Sequence, residues 1–334
     1  MKLRLFFAVL ILFLSQIAYA ATVDEHQAYQ RAVKCLTRVG VGQRGELRLI
    51  DISREVNYEN LYVYVVEGGH GFAVVPKWEC GSKVVAYSAE NDFVLPMPAS
   101  VKLWFDGCDK AVGEYQYKNI KAAKEDADEP YSAVGPLLGT QWSQKPLYNN
   151  ECPMYGTTRC VTGCMATAMA QVMRYWRYPA VGQGTHSYEE SNFGTLTVNY
   201  GAATYNWNNM PRVLNGHSSV DEVAEVAKLM YHSGVSVNMA YGTGASGTMT
   251  SYVPIALRDY FRYDAGVHEI VKDTIEDRIW DIIMYGEIAS GRPVIYSGSN
   301  QEDMGHAFVL DGYDNTGSYH VNWGWGGNFD GYYA

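Results

Sequence analysis

The chain has 334 residues, 26 of them Lys or Arg and 36 Asp or Glu, for a formal net charge of −10. An acid excess of that size argues against nucleic acid as the main partner. At 47% hydrophobic and 19% charged, the composition is that of a globular chain long enough for two domains.

The first twenty residues, MKLRLFFAVLILFLSQIAYA, join Lys2 and Arg4 to an apolar run from Leu5 to Leu14 and end on the small-residue signature Ala18-Tyr19-Ala20. That is the layout of a secretory signal (residues 1–20), cut near Ala20, which predicts a secreted, extracellular protein. Losing its two cations would take the net charge from −10 to −12. No later run reaches the ~18 uninterrupted apolar residues of a spanning helix, so no membrane span is expected after signal removal.

Residues 21–125 read as a small α+β unit. A helical stretch from Val23 to Val39 precedes strand-like runs from Leu61 to Glu67 and from Gly71 to Pro76, joined by a Gly68-Gly69-His70 turn. The acid-rich segment KAAKEDADEPYSA, Lys121 to Ala133, has little that is apolar beyond alanine and reads as an exposed, cleavable connector.

Residues 126–334 form the second unit. In TGCMATAMAQVM the apolar residues Met165, Met169, Val172, Met173 and Trp176 recur on one helix face, predicting a helix over Gly163 to Tyr178. Further helices are expected over Val220 to His232, with Ser219 and Glu222 as a capping box and Gly234 as the stop. Two more should run over Tyr252 to Phe261 and over Ile275 to Ser290, the latter introduced by Thr274-x-x-Asp277. The last third turns to strands, RPVIYSG, HAFVLDGYD and SYHVNWGW. Helices first and an antiparallel sheet afterwards is an α+β fold class with segregated halves.

Six cysteines follow the signal: Cys35, Cys80, Cys108, Cys152, Cys160 and Cys164. Export makes disulfides the default, but three lie on each side of the connector, so pairing within domains leaves an odd thiol in each half. Cys152 and Cys160 are the natural loop pair. That leaves Cys164, in the first turn of its helix, where free N–H groups and the macrodipole favour a thiolate. A cysteine nucleophile needs a base, and the base needs something to orient it. His306 opens an alternating strand, and a hairpin centred near Asp314 would place it opposite Asn322 or Trp323. An oxyanion hole would combine the N–H of Cys164 with a side-chain amide upstream, for which the sequence offers Gln141 and Gln144.

Six blocks then occur in order: LLGTQWSQKPLYN, TGCMATAMAQVMRYWRYP, YNWNNMP, SVNMAYG, GHAFVLDGYD and YHVNWGWGG. Together they resemble the streptopain family of papain-like cysteine peptidases, over roughly residues 130 to 332. The resemblance implies a papain-like fold preceded by an inhibitory propeptide, since GFAVVP and VVAYS upstream also look like that family's prosegment. It implies Cys164 as nucleophile, His306 as base, Gln144 as oxyanion donor, and Asn322 and Trp323 as the residues that orient and cover the histidine. Substrates would be proteins cut internally, with an apolar side chain two positions before the cut and no cofactor. A segment near Ala86 to Asn91 is expected to reach the site in the precursor, and maturation to cut between about Tyr117 and Tyr131. Cys152 and Cys160 depart from the family's pattern, and the chain stops at Ala334 before the glycine-rich loop and closing strand expected of it, as a fragment of a longer protein would.

Plainer readings compete at each position. Cys164 could be a buried thiol, His306 a core histidine, Asn322 a turn residue and Trp323 a core aromatic. His217, His232 and His320 lack convergent partners and read as structural or exposed. Cys152, Cys160 and Cys164 fit no common zinc spacing, so no metal is expected. GTGASG, Gly242 to Gly247, matches a phosphate loop only in composition and reads as a flexible loop edging the cleft. The same Cys-His pair would also serve a cell-wall amidase or a transglutaminase, and a catalytically inactive surface domain could keep the fold.

Overall fold

The structure, a computed structural model, describes residues 21–42, 47–80, 82–115, 132–299 and 305–334. The expected signal, and all but the last two residues of the expected connector with its cut, lie outside the described residues. In chain order the N-terminal unit contains α1 (Glu25–Arg38), β1 (Leu49–Asp51), α2 (Ser53–Val56), β2 (Leu61–Val66), β3 (Phe72–Pro76), β4 (Ala86–Ser88) and α3 (Ala99–Tyr115). The second unit contains β5 (Met154–Tyr155), β6 (Thr158–Arg159), α4 (Cys164–Trp176), β7 (Thr185–Glu190), β8 (Gly194–Asn199), α5 (Val220–Ser236), α6 (Tyr252–Asp259), α7 (Asp277–Ala289), β9 (Val294–Ser299), β10 (Gly305–Tyr313), β11 (Tyr319–Asn322) and β12 (Gly331–Tyr333).

Eight strands form one antiparallel sheet in the order β1-β2-β3-β4-β12-β11-β10-β9. Its two faces are both apolar because alternate residues of each strand feed different cores. Leu61, Val63, Phe72, Val74, Leu310, Val321 and Tyr333 point to a core shared with Phe105 of α3 and with Trp280, Met284 and Ile288 of α7. Tyr64, Ala73, Val75 and Tyr87 point the other way, against Ala28, Ala32 and Leu36 of α1. On that same side Val309 meets Ala168 and Val172 of α4. The two units thus share a sheet and a core, joined where Tyr87 and Ala86 pair with Tyr332 and Tyr333. A separate helical core gathers Trp142, Met165, Met169, Met173, Trp207, Met230 and Phe261. Among the described residues no helix is long and apolar enough to cross a membrane.

Several expectations change. Helix α4 ends at Trp176, which is 44% exposed, so its buried face stops at Met173. Helix α5 runs through Gly234 to Ser236; that glycine is required by packing, because a Cβ there would collide with the Tyr241 hydroxyl. The Ser219–Glu222 capping box forms as read. The Thr274 box does not: Thr274 bonds back to the Val271 carbonyl, and α7 starts from Glu276 with no side-chain cap. Helix α3 and the β7–β8 hairpin were not expected. In α3 two glycines dilute the periodic signal, and one of them, Gly113, admits the Asn60 side chain. Finally, β12 at the end of the chain completes the sheet between β11 and β4.

Candidate active site

Helix α4 begins at Cys164 because Gly163 turns the chain there. Gly163 has φ +87°, and a Cβ would come within 2.8 Å of the Met239 side chain, so both conformation and space call for glycine. No side chain caps the helix start. Thr167 instead donates its hydroxyl to the Gly163 carbonyl at 3.0 Å and pairs with the Thr162 hydroxyl at 3.0 Å. Backbone N–H groups of Ala307, Met165 and Cys164 itself favour the Cys164 thiolate. Burial opposes them and wins, so the thiol is pushed up rather than down. The helix start therefore does not by itself ionise the sulfur in this state. The interaction with Ala307 puts Cys164 beside the residue that follows His306.

His306 is buried, and its Nε2 lies 2.9 Å from the Trp323 carbonyl. A carbonyl only accepts, so Nε2 carries the proton and Nδ1 keeps its lone pair. The ring lies flat over Trp325, with centroids 5.4 Å apart and planes at 7°, and nearly parallel to Trp323 at 6.0 Å. Burial in this aromatic setting pushes the imidazole down to about 4, against the pull of the Trp323 carbonyl. The carbonyl itself is fixed on both sides. Trp323 donates its N–H to Asp330 Oδ1 at 2.8 Å, and Gly324 donates to Asn322 Oδ1 at 3.1 Å.

The hairpin register differs from the expected one. Val309 opposes Asn322, and the ladder slips at a bulge between Leu310 and Gly312. The turn is centred beyond Asp314, whose Oδ1 accepts from the N–H groups of Thr316 and Ser318 at 2.8 and 3.0 Å, with Gly317 at φ +85°. His306 therefore meets the backbone of Trp323 and not the amide of Asn322. The Asn322 side chain is turned away: its Oδ1 accepts from Gln171 and its Nδ2 donates to the Thr140 carbonyl, each at 2.9 Å.

Of the two upstream glutamines, Gln144 is buried, and its carbonyl accepts the N–H of Thr162 at 3.3 Å, two residues before the cysteine. Gln141 donates instead to Asn91 Oδ1 at 2.8 Å. The expected approach of Ala86 to Asn91 thus takes the form of a strand joined to β12 and an asparagine that bridges Gln141 and the Asp330 carbonyl, the latter at 3.1 Å. Beyond it, Asp92 accepts from Phe329 at 3.0 Å, Phe93 packs edge-on against Phe329 and Ser100 holds the Trp325 indole at 3.2 Å.

His320 is not partnerless as expected: it is buried, with Nδ1 2.6 Å from Asp311. His232 is a half-buried structural residue bonded to the Tyr205 hydroxyl at 3.0 Å, and His217 is exposed. The 242–247 loop is anchored, because Ser246 donates to the Val161 carbonyl at 2.8 Å and its own carbonyl lies against Gly163. Cys152 and Cys160 flank the β5–β6 hairpin as buried free thiols, and Cys164 is likewise unpaired. Among the described residues no group of three or more His, Cys, Asp or Glu is arranged to hold a metal ion. Sequence reasoning missed Gln171 and Asp330, and offered Trp325 only as a possible core aromatic. A glutamine two turns along the buried face of the Cys164 helix was the one available signal.

The sequence profile described as the Peptidase C10 family matches residues 142–333. The chain belongs to the peptidase C10 family. Membership assigns it to the cysteine-type peptidases. The chain is 32% identical over 305 residues to the thiol protease/hemagglutinin PrtT of Porphyromonas gingivalis, covering 85% of this chain and 35% of that protein, so it spans about a third of that relative's length. Streptopain of Streptococcus pyogenes is 29% identical over 308 residues, covering 86% of this chain and 77% of its own. Among solved structures, a prointerpain A fragment of Prevotella intermedia, in a cysteine-to-alanine mutant, matches with a TM-score of 0.75 at 32% identity over 86% of this chain and 92% of that one. Active interpain A from the same organism matches with a TM-score of 0.58 at 37% identity over 62% of this chain and 88% of its own. The papain-like C10 fold, helices beside an antiparallel sheet, is therefore the fold of this family member.

Proposed function

We propose that this C10 chain is the exported precursor of a cysteine endopeptidase in which Cys164 is the nucleophile and His306 the base. One observation carries the reading: the backbone of Ala307, next to His306, lies close enough to Cys164 to favour its thiolate, while the imidazole donates from Nε2 to the Trp323 carbonyl and keeps Nδ1 as acceptor. His306 takes the thiol proton, and the sulfur attacks the substrate carbonyl, forming a C–S bond as the C–O π pair moves onto oxygen. The Cys164 N–H and the Gln144 amide hold that oxyanion. Its collapse breaks the C–N bond, the leaving amine takes the proton from His306, and water then hydrolyses the thioester with the same histidine as base. Trp323 orients the imidazole through its carbonyl and shields it with its ring, with Asn322 acting from behind.

Residues 21–125 serve as the inhibitory propeptide. The pro form of interpain A aligns with 86% of this chain and the active form with 62%, which supports that division from 126–334. In the precursor, burial favours a neutral thiol and a neutral imidazole. The ion pair forms once the propeptide leaves and water and substrate enter. The cut falls between Tyr117 and Tyr131, the signal over residues 1–20 directs export out of the cell, and substrates are proteins with an apolar side chain two positions before the scissile bond. The test compares wild-type and Cys164→Ala precursors for casein cleavage, for the N-terminus produced on maturation and for preferences in a peptide library. Casein cleavage by Cys164→Ala overturns the reading.

A further inference from the structure

A closed ring of hydrogen bonds lies behind the reacting groups, and its hub is a residue to which neither the motifs nor the mechanism gives a role. Gln171 sits two turns after Cys164 on α4 and is 1% exposed. Its Oε1 accepts from the Thr140 hydroxyl at 2.9 Å and from the Trp142 N–H at 3.1 Å. Its Nε2 donates to Asn322 Oδ1 at 2.9 Å, and Asn322 Nδ2 closes the ring on the Thr140 carbonyl at 2.9 Å. Every polar atom of the glutamine side chain is satisfied, and its two ends lead to two different parts of the site, Oε1 to residues 140–142 and Nε2 to Asn322. Trp142 lies two residues before Gln144. Asn322 also accepts from Gly324, the residue after Trp323, so it holds one side of the Trp323 carbonyl that receives His306, while Asp330 holds the other. The carbonyl of Trp142 accepts from Gly326 at 3.0 Å, tying the two outer arms together.

We infer that Gln171 is the positioning residue of this active site, fixing the Thr140–Gln144 segment and the Asn322–Gly324 backbone that receives His306 to the helix that carries the nucleophile. The inference rests on the roles proposed above for Cys164, Gln144 and His306. It also accounts for Asn322, which acts on the imidazole through the Trp323 backbone. An apolar residue of equal size would fill the space yet leave the Trp142 N–H and the Thr140 hydroxyl without their bonds to Gln171 and cut Asn322 loose from the helix, so that both arms are free to settle elsewhere.

The experiment uses the full-length chain, matured by bead-bound wild-type enzyme that is then removed, with active sites counted by an irreversible thiol-directed inhibitor. Gln171→Met should lower kcat about 10–100-fold, the scale of a misplaced site, with KM within about twofold. Alkylation of Cys164 by iodoacetamide forms no oxyanion and should stay within about threefold of wild type. Gln171→Glu keeps both acceptor bonds but faces Asn322 Oδ1 with an oxygen that can donate only when protonated. Its kcat relative to wild type should therefore fall as pH rises from about 5 to 8, adding a titration that wild type lacks.

An unchanged kcat in Gln171→Met overturns the inference. So does a loss shared equally by kcat, alkylation and active-site count, or a wild-type pH profile in Gln171→Glu. If Gln171→Met does not fold, Thr140→Val, which removes one bond of the ring at constant volume, should cost about three- to tenfold in kcat, and no loss there overturns the inference. Failure of the underlying reading looks different: wild type fully alkylated at Cys164 would remain active.

Discussion

The junction between the two units can be weakened by a single oxygen atom. Tyr87 in β4 donates its hydroxyl to Asp314 Oδ2 at 2.7 Å, across the boundary between the proposed propeptide and the peptidase domain. Asp314 is 6% exposed, and the other group near Oδ2 is the Arg38 guanidinium at 3.8 Å, itself half-exposed. Tyr87→Phe keeps the ring stacked on Tyr332, 5.1 Å between centroids, and removes only the donor. In the docked state the carboxylate oxygen then loses a charge-assisted bond, at a cost of about 1.5–3 kcal/mol. Once the propeptide separates, that oxygen meets water, and Oδ1 keeps its bonds to Thr316 and Ser318 in both states. The whole cost therefore falls on docking and should raise the open population by a factor of ~10–150. The assay is the rate at which full-length precursor reacts at Cys164 with a thiol-directed peptidase inhibitor, which follows the open population when reclosing is fast. Labelling and maturation at the wild-type rate would refute the argument.

Three further outcomes are expected. Gln144→Ala should lower kcat on a peptide substrate by ~10²–10³ while leaving the Cys164 alkylation rate close to wild type; a loss under tenfold would remove Gln144 from the oxyanion hole. Gly234→Ala should destabilise the chain by about 1–3 kcal/mol, read as a lowered Tm, because its methyl meets the Tyr241 hydroxyl, and Tyr241→Phe in the same chain should recover part of it. The Cys164→Ala precursor should melt lower at pH 8 than at pH 5. Burial pushes the Asp330 carboxyl up to about 7, so the folded state holds a proton that the unfolded state sheds near 4, and stability falls as pH rises between them. His320 adds the same sign: burial lowers its pKa, the Asp311 carboxylate raises it further, and the stabilisation disappears as pH climbs through the raised value. Adding Asp330→Asn should flatten the curve between about pH 4 and 7; a parallel curve would count against this origin.

Much of the candidate site was legible because the features that nominate its residues are local. Cys164 announces itself by opening a helix after Gly163, and His306 by heading an alternating strand; the helix from Glu25 and the Ser219 capping box follow from neighbours a few residues apart. The connection of His306 to Trp323 rather than Asn322 was not legible. It depends on one bulge at Asp311 and on a turn fixed by the Asp314 carboxylate, and a shift of one residue reverses every side chain on a strand. Gln171 could be placed on the nucleophile's helix but not matched to partners 29, 31 and 151 residues away.

By itself the sequence nominated Cys164, His306 and Gln144 for the chemistry and marked the helix from Glu25, the helices of the second unit and its last strands, because hydrophobic period, caps and turns act over a few residues. Tertiary structure alone decided that the upstream unit extends the peptidase sheet through β4 and β12, and that burial holds the Cys164 thiol and the His306 imidazole neutral in the precursor. Desolvation and strand pairing depend on what lies across the fold, and no local pattern in the chain encodes that.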